Sequence, residues 1–166
     1  MDLCLRNSEV NKENLASAIH MAEVAGMPYL ITSFPGEAAN YPFVLITSSL
    51  RDGTLQADEI SLLYAYVYNG GVILAPFIQS TAYFPLFGIS ATKYESNRYW
   101  INFDLSGVHK ELEWVDDKME QSLPLADLSY TQSIYTRGYT KSNCELLASF
   151  EDNSAAIVVN KYGKLK

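Results

Sequence analysis

Long hydrophobic runs and clusters of basic residues are both missing from this sequence of 166 residues. The longest apolar stretch falls far short of the ~20 residues that a membrane-spanning helix needs, so we expect no membrane insertion by this domain. Nineteen acidic residues against twelve basic ones leave a net charge of −7. A chain this acidic is repelled by a phosphate backbone, which argues against nucleic-acid binding. Anionic membrane surfaces are disfavoured for the same reason.

Cysteine is scarce as well, with only Cys4 and Cys144 in the chain. Neither belongs to a Cys-x-x-Cys motif or a Cys/His cluster, so the sequence predicts no metal site. Both lie in or beside apolar runs, which favours two free buried thiols and leaves a disulfide between them open. No signal peptide is present. Because Asp2 to Leu5 reads as the start of a strand, we expect a piece of a longer protein whose export signal, if it has one, lies upstream.

Glycine-rich and catalytic loops are also missing where the common nucleotide-binding folds need them. The loop after the first strand candidate, residues 6–11, contains no glycine, although a dinucleotide site or a P-loop needs glycine for the backbone to approach phosphate. The third strand candidate ends in Thr47-Ser48-Ser49, without the carboxylates of a phospho-receiver domain. Residues 75–81 contain no Gly-x-Ser/Cys-x-Gly elbow. The sequence therefore predicts no cofactor and no catalytic machinery of a familiar kind.

Four short apolar runs alternate with two helix-like stretches in the first half of the chain. Continuous apolar runs of this length are typical of a parallel sheet that helices cover on both faces. We therefore expect one α/β domain over residues 1–166, a flavodoxin-like three-layer sandwich with a mainly parallel central sheet. The expected core strands lie near residues 2–6, 28–32, 43–47 and 72–76.

The second half of the chain has a different pattern and predicts a β-rich C-terminal half. Residues 99–105 alternate between apolar and polar side chains, as a half-buried strand does. Residues 145–150 and 155–160 are two apolar runs around Asn153-Ser154, which indicates a β-hairpin. Further strand candidates lie at 112–115 and 133–136.

One arrangement of polar residues keeps an enzymatic interpretation open. His109 and Glu111 form a His-x-Glu pair, which could serve as a general base and its orienting carboxylate. A hydroxyl such as that of Ser80 would then complete a hydrolase site. A chance tripeptide at the surface and a helix cap at Ser80 are the simpler interpretations, so we expect this domain alone not to be an enzyme.

A ligand is expected at the carboxyl ends of the parallel strands, since open α/β sheets bind ligands there. This edge offers neutral hydrogen-bonding groups, with Phe77 or Tyr83 as a neighbouring ring. Such a site suits a carbohydrate better than a nucleotide. The predicted ligand-binding residues are Ser33, Ser48, Ser49 and Gln79.

Several segments together resemble a known family. They are residues 41–47, the helix end and strand at 66–76, Leu86-Phe-Gly-Ile89, and the closing stretch from Leu147 to Lys164. They resemble the class I glutamine amidotransferase-like fold. The resemblance is closest to its non-catalytic relatives, which are the trehalose-utilisation type and the domains attached to bacterial glycoside hydrolases and polysaccharide deacetylases.

The resemblance implies an amidotransferase-like fold but argues against the amidotransferase reaction. This sequence has no cysteine at the elbow, and His109-x-Glu111 lies too far from the C-terminus to match the family's late His-x-Glu. Leu165 replaces the second glycine of the closing motif.

The expected function is therefore a non-catalytic accessory or binding domain of a larger, carbohydrate-active bacterial protein. Its expected partners are a carbohydrate ligand and the other domains of the parent chain. A hydrolase and a structural or oligomerisation module remain as alternatives. The sequence identifies neither the ligand, the parent's reaction, the compartment nor the oligomeric state.

Overall fold

A computed structural model of the chain describes residues 2–4, 10–105, 121–125 and 134–163. The chain divides into two compact units, Met1–Tyr83 with Tyr162–Lys166, and Phe84–Lys161. Each unit has its own β-sheet. Within the described ranges, every helix is too short or too polar to cross a bilayer. The expectation of a single domain over residues 1–166 stays a prediction.

The sheet of the first unit has four short strands in the order β2-β1-β3-β4, and all neighbouring strands run parallel. The four apolar runs of the first half supply these strands. The register aligns Leu45 with Leu74, so these two positions share one face of the sheet. The strands are β1 (Asp2–Cys4), β2 (Leu30–Thr32), β3 (Phe43–Ile46) and β4 (Val72–Leu74).

Helices cover both faces of this sheet at its centre. Helix α1 (Val10–Val24) packs Leu15, Ala18 and Ile19 against Leu45 on one face. On the other face, Val44 and Ile46 line an apolar cavity together with residues of α2 (Pro35–Ala38) and α3 (Ala57–Tyr68). The apolar periodicity of α1 and α3 therefore matches the faces that they bury.

Helix α3 begins with a capping box that the sequence analysis did not identify. Gln56 is the N-cap, and its backbone N–H donates to the Glu59 carboxylate at 2.8 Å. Thr54 lies two residues before this cap and donates its hydroxyl to the Ser49 carbonyl at 3.0 Å. Near the end of the chain, the Tyr162 ring packs edge-on against Tyr64 of α3, with centroids 5.3 Å apart.

The second unit is built on a six-stranded sheet in the order β5-β8-β10-β9-β6-β7. Its strand pairs are antiparallel, and the predicted hairpin is confirmed as β9 and β10. The elements of this unit are α4 (Phe84–Phe87), β5 (Ile89–Arg98), β6 (Trp100–Phe103), β7 (Ser122–Pro124), β8 (Ile134–Lys141), β9 (Glu145–Ser149) and β10 (Ala155–Val159).

The predicted fold class is wrong. The larger sheet is antiparallel, and the chain is richer in strand than a flavodoxin-like or amidotransferase-like three-layer sandwich. The main cause is β5, which the sequence analysis missed because most of its ten residues are polar or charged. The strand candidate at 133–136 overlaps the start of β8, and the candidate at 112–115 lies outside the described residues.

Candidate functional site

The carboxyl edge of the parallel sheet carries the four predicted ligand-binding residues. Ser33 and Gln79 are exposed there, and Ser49 is half-buried. Ser48 is only 5% exposed and lines the apolar cavity beneath α3. Its hydroxyl is therefore the least accessible of the four to a ligand from solvent.

The chain segments that follow β3 and β4 meet at this edge through Leu50. The Leu50 N–H donates to the Phe77 carbonyl, and the Gln79 N–H donates to the Leu50 carbonyl, both at 2.8 Å. These bonds bring Ser49 close to Gln79. Ser33 follows β2, which is separated from β3 by β1, and two strand spacings amount to about 10 Å. The carbohydrate site at this edge stays a prediction, with Ser33 set apart from the other residues.

Of the two aromatic rings expected beside this site, only one is accessible. Phe77 is 40% exposed, whereas Tyr83 is 1% exposed and belongs to the core. Because it is buried, Tyr83 cannot supply a stacking surface for a sugar. Burial also raises the pKa of its phenol, and the negative charges of Asp52 and Glu59 raise that pKa further, while a hydrogen bond with the Leu55 backbone lowers it.

Of the three residues of the enzymatic alternative, only Ser80 belongs to the described part of the chain. Ser80 is buried, and its Oγ accepts a hydrogen bond from the Ala82 N–H at 3.2 Å. Its carbonyl accepts a second bond from the Tyr83 N–H at 3.2 Å, so Ser80 begins the 3-10 turn Thr81–Tyr83. His109 and Glu111 lie outside the described residues, and the hydrolase hypothesis stays untested.

Metal and thiol chemistry find little support in the described ranges. Those residues contain no group of three His, Cys, Asp or Glu side chains arranged to hold a metal ion. Cys144 is a half-buried free thiol, and burial raises its pKa. A raised thiol pKa lowers the thiolate fraction at neutral pH, which makes Cys144 a weak nucleophile.

A polar groove in the second unit was not foreseen from the sequence. Its volume is about 400 Å³, which is within the usual range for small-molecule sites. It lies between the β5–β8 pair and the turn that joins β9 to β10. Apolar atoms make up most of its accessible wall, and we call it the polar groove for the polar side chains that line it, which are Lys93, Thr140, Lys141, Asp152, Asn153 and Ser154.

A buried arginine holds one wall of this polar groove in place. Arg98 is 1% exposed, and its Nη2 donates to the Asp152 carboxylate at 2.7 Å and to Ser154 Oγ at 2.9 Å. Its Nη1 donates to the Thr136 carbonyl at 2.9 Å, and its guanidinium lies 4.6 Å from the centre of the Phe150 ring. A buried charge needs this many partners to offset the loss of hydration. Arg98 therefore holds the turn in place from its buried side, so the exposed atoms of the turn are already positioned before a ligand binds.

The charge of Asp152 is set by the same contacts. Burial alone would raise the pKa of its carboxyl, but hydrogen bonds from Arg98 and Ser154 and the Arg98 charge lower it to about 2. Asp152 is thus ionised at neutral pH, and one of its oxygens also accepts the Ser154 N–H at 3.1 Å.

Gly138 on β8 leaves the space that this network needs. A Cβ atom at this position would lie 2.1 Å from Ser154 Oγ and 2.5 Å from Arg98 Nη2. Any larger residue would therefore displace the turn that forms the groove wall.

The polar groove can form hydrogen bonds but offers no obvious acid–base pair. Lys93 forms an ion pair with Glu95, and Asp152 is occupied by Arg98. The Thr140 hydroxyl, the Lys141 ammonium and the Asn153 carboxamide remain to contact a ligand rich in hydroxyl groups. Two features of the sequence could have pointed to this groove, namely the lone Gly138 inside a strand and the turn-forming residues Asp152-Asn153-Ser154. Neither of them indicates that β5 forms the opposite wall.

Comparison with known proteins gives a match at the level of fold. No protein-family model matches the chain, and no curated protein matches it. Among solved structures, the chain is similar to the exo-β-1,4-mannosidase Op5Man5 from Opitutaceae bacterium strain TAV5, with a TM-score of 0.63 and 16% sequence identity. The similarity covers 98% of this chain, which spans 29% of the length of the mannosidase. The fold is thus one that occurs as part of a carbohydrate-active enzyme, while the amidotransferase-like resemblance stays a prediction.

Proposed function

We propose that this chain is a non-catalytic accessory module of a larger carbohydrate-active protein and that it binds a carbohydrate. The observation that carries the proposal is the fold match with an exo-β-1,4-mannosidase. The match covers 98% of this chain and 29% of the length of the mannosidase. At 16% identity this similarity concerns the fold, so the ligand is argued from the chain's own residues.

Two surfaces provide the chemistry that a sugar requires. The carboxyl edge of the parallel sheet offers the exposed Gln79 amide beside the partly exposed Phe77 ring. The polar groove of the second unit offers Thr140, Lys141 and Asn153 above a preorganised turn. Each surface exposes a few hydroxyl or amide groups beside apolar wall, and such groups form hydrogen bonds with sugar hydroxyls without needing a charged ligand.

Of the two, the polar groove is the better candidate for the binding site. Its wall is held by the Arg98 network, and rigid polar groups lose less conformational entropy when they bind a ligand. The sheet edge has one of its four predicted residues, Ser48, buried against an apolar cavity.

Isothermal titration calorimetry of the full chain tests this proposal. Titrants should be β-1,4-linked mannooligosaccharides, cellooligosaccharides and, for comparison, ATP. We expect heat of binding with at least one oligosaccharide and none with ATP, because the acidic chain repels phosphate. Binding of ATP with no response to sugars would contradict the proposal, and so would silence from both classes.

Paired variants locate the site. Thr140→Val and Lys141→Ala remove polar groups of the groove and should weaken sugar binding by about tenfold or more, as expected for lost hydrogen bonds. Lys12→Ala removes an equally charged exposed side chain from α1 and should leave binding unchanged. If Gln79→Ala reduces affinity and the groove variants do not, the sheet edge is the binding site.

A further inference from the structure

An unusual concentration of exposed apolar side chains lies at one edge of the first unit. The segment 21–34 includes the last turn of α1, the following loop, strand β2 and the residues just after it. Val24 is 75% exposed, Phe34 68% and Met21 59%. We call this segment the β2-edge surface. Its exposed large apolar residues are Met21, Val24, Met27, Tyr29, Leu30, Ile31 and Phe34.

The β2-edge surface carries almost no charge in a chain of net charge −7. Glu23 is the one charged residue between positions 21 and 34, and its carboxylate accepts a hydrogen bond from the Tyr29 hydroxyl at 3.2 Å. Contiguous apolar surface with few charges marks an interaction site in soluble proteins. A neutral surface is also where two copies of an acidic chain can meet with the least repulsion.

Strand β2 adds backbone groups to this apolar surface. It pairs with β1 on one side, and none of the described strands pairs with its other side. An edge strand presents unpaired N–H and C=O groups that can pair with a strand from another chain. Leu30 and Ile31 place apolar side chains on both faces of that edge.

We propose that the β2-edge surface is an interface between two copies of this chain. A two-fold axis beside β2 aligns the two β2 strands antiparallel and brings each copy's exposed α1 residues against its partner. The resulting contact is isologous, as in most homodimers.

The apolar area of the β2-edge surface suffices for a stable dimer. The exposed fractions of its seven large side chains equal between three and four fully exposed residues, which is roughly 500 Å² at about 150 Å² per residue, the lower end of the range for aromatic side chains. A standard interface buries about 800 Å² per partner, of which about 60% is apolar. The available surface matches that apolar share.

Sedimentation velocity of the full chain from micromolar to millimolar concentration tests the proposal. We expect a reversible monomer–dimer equilibrium. Val24→Lys and Met21→Lys should each raise the dimer dissociation constant at least about tenfold, because they place a charge in an apolar contact. Lysine is chosen because it reduces the net negative charge, so weaker association cannot come from added repulsion.

Val72→Lys is the matched control, since Val72 is 54% exposed on β4 at the opposite edge of the same sheet. It should leave the dissociation constant unchanged, and circular dichroism should confirm that all three variants fold. In the wild type, hydrogen exchange of the outward β2 amides should slow as concentration rises. A wild-type monomer at every concentration overturns the proposal and assigns the surface to a different partner. Association that survives both α1 substitutions, or that Val72→Lys abolishes, overturns it equally.

Discussion

Arg98 is the residue on which the second unit's polar groove depends. Its guanidinium is buried and has partners on β8 and on the β9–β10 turn, but its Nε atom has no hydrogen-bond partner among the described residues. Removing one partner of such a group leaves a buried charge uncompensated, which costs more than the pair itself contributes. The groove wall and the stability of the unit therefore change together when these residues are altered.

Asp152 makes this dependence visible through pH. Its pKa is about 2 in the folded chain against an ordinary value of 3.8, so the unfolded state binds more protons between these values. The stabilisation from Asp152 is complete above about pH 5 and disappears as the pH falls to about 2. We expect Asp152→Asn to be less stable than the wild type at pH 6, with a difference that shrinks steadily below pH 4.

Urea unfolding followed by tryptophan fluorescence measures this difference, because both tryptophans, Trp100 and Trp114, belong to the sequence of the second unit. Glu145→Gln is the control, since Glu145 forms an exposed ion pair with Lys161 at 3.4 Å, and such pairs contribute little. A stability difference for Asp152→Asn that does not change with pH would contradict this account.

Gly138 gives a second prediction at the same place. Gly138→Ala forces a Cβ atom into Ser154 Oγ and the Arg98 guanidinium, and we expect a loss of about 1–3 kcal/mol in the free energy of unfolding. Gly36→Ala is the matched control, because nothing lies within 4 Å of its added Cβ and alanine suits the helix α2. Urea unfolding monitored by circular dichroism compares the two, and equal stabilities would refute the steric argument.

At the level of elements, apolar content decided which strands could be predicted. Strands β3 and β4 and the β9–β10 hairpin are short apolar runs between turn residues, and such runs are visible in the sequence. Strand β5 contains Lys93, Glu95 and Arg98 among its ten residues, and its stability comes from pairing with β8, whose partner residues lie 36 to 52 positions later. That pairing is a tertiary effect, and no local pattern reports it.

The turn after α3 shows how a sequence motif can have a packing origin. Gly71 lies under the ring of Tyr66, and a Cβ there would be 2.2 Å from the ring's Cζ atom. The Tyr66 hydroxyl donates to the Tyr41 carbonyl at 2.8 Å, so the ring cannot easily move away. The helix end at residues 66–71, which is part of the family resemblance, thus has a local explanation in the packing of the Tyr66 ring against Gly71.

We expect Gly71→Ala to lower the free energy of unfolding by about 1–3 kcal/mol, because the ring must leave its hydrogen bond. The same substitution in a Tyr66→Ala background should cost less than about 0.5 kcal/mol, since the three atoms nearest the added Cβ all belong to the Tyr66 ring. A double-mutant cycle by urea unfolding gives the coupling. Equal costs in both backgrounds would show that the backbone of Gly71, and not the ring, is responsible.

At the level of the whole molecule, net charge opposes the self-association that we propose. Two copies each carry −7, and repulsion between exposed charges weakens as salt shortens the screening length from about 30 Å at 0.01 M to about 8 Å at 0.15 M. The dimer dissociation constant should therefore fall as sodium chloride rises across this range, and sedimentation measures it. A dissociation constant that does not change with salt would mean that charge makes no net contribution to the association, and one that rises with salt would mean that charge pairing holds the two copies together.

The candidate binding groove could not be predicted because its walls are distant in the sequence. Lys93, Gly138 and Asp152 come from three separate strands or turns, and the surface exists only after β5 has paired with β8. The sheet-edge site was accessible to sequence reasoning because a general rule places ligands at strand ends. The predicted residues do follow parallel strands of one sheet, but the rule does not reveal that Ser48 is buried, and ligand binding at this edge stays a prediction.

The contact between Tyr64 and Tyr162 has a consequence for the order of synthesis. The chain leaves the first unit after Tyr83 and returns to it at Tyr162, so the ribosome makes all of Phe84–Lys161 before the partner ring of Tyr64 exists. At about 5–20 residues per second, this interval lasts from roughly four to sixteen seconds. Helix α3 of the parallel sheet therefore lacks its contact with Tyr162 until the whole antiparallel sheet of the second unit has been translated.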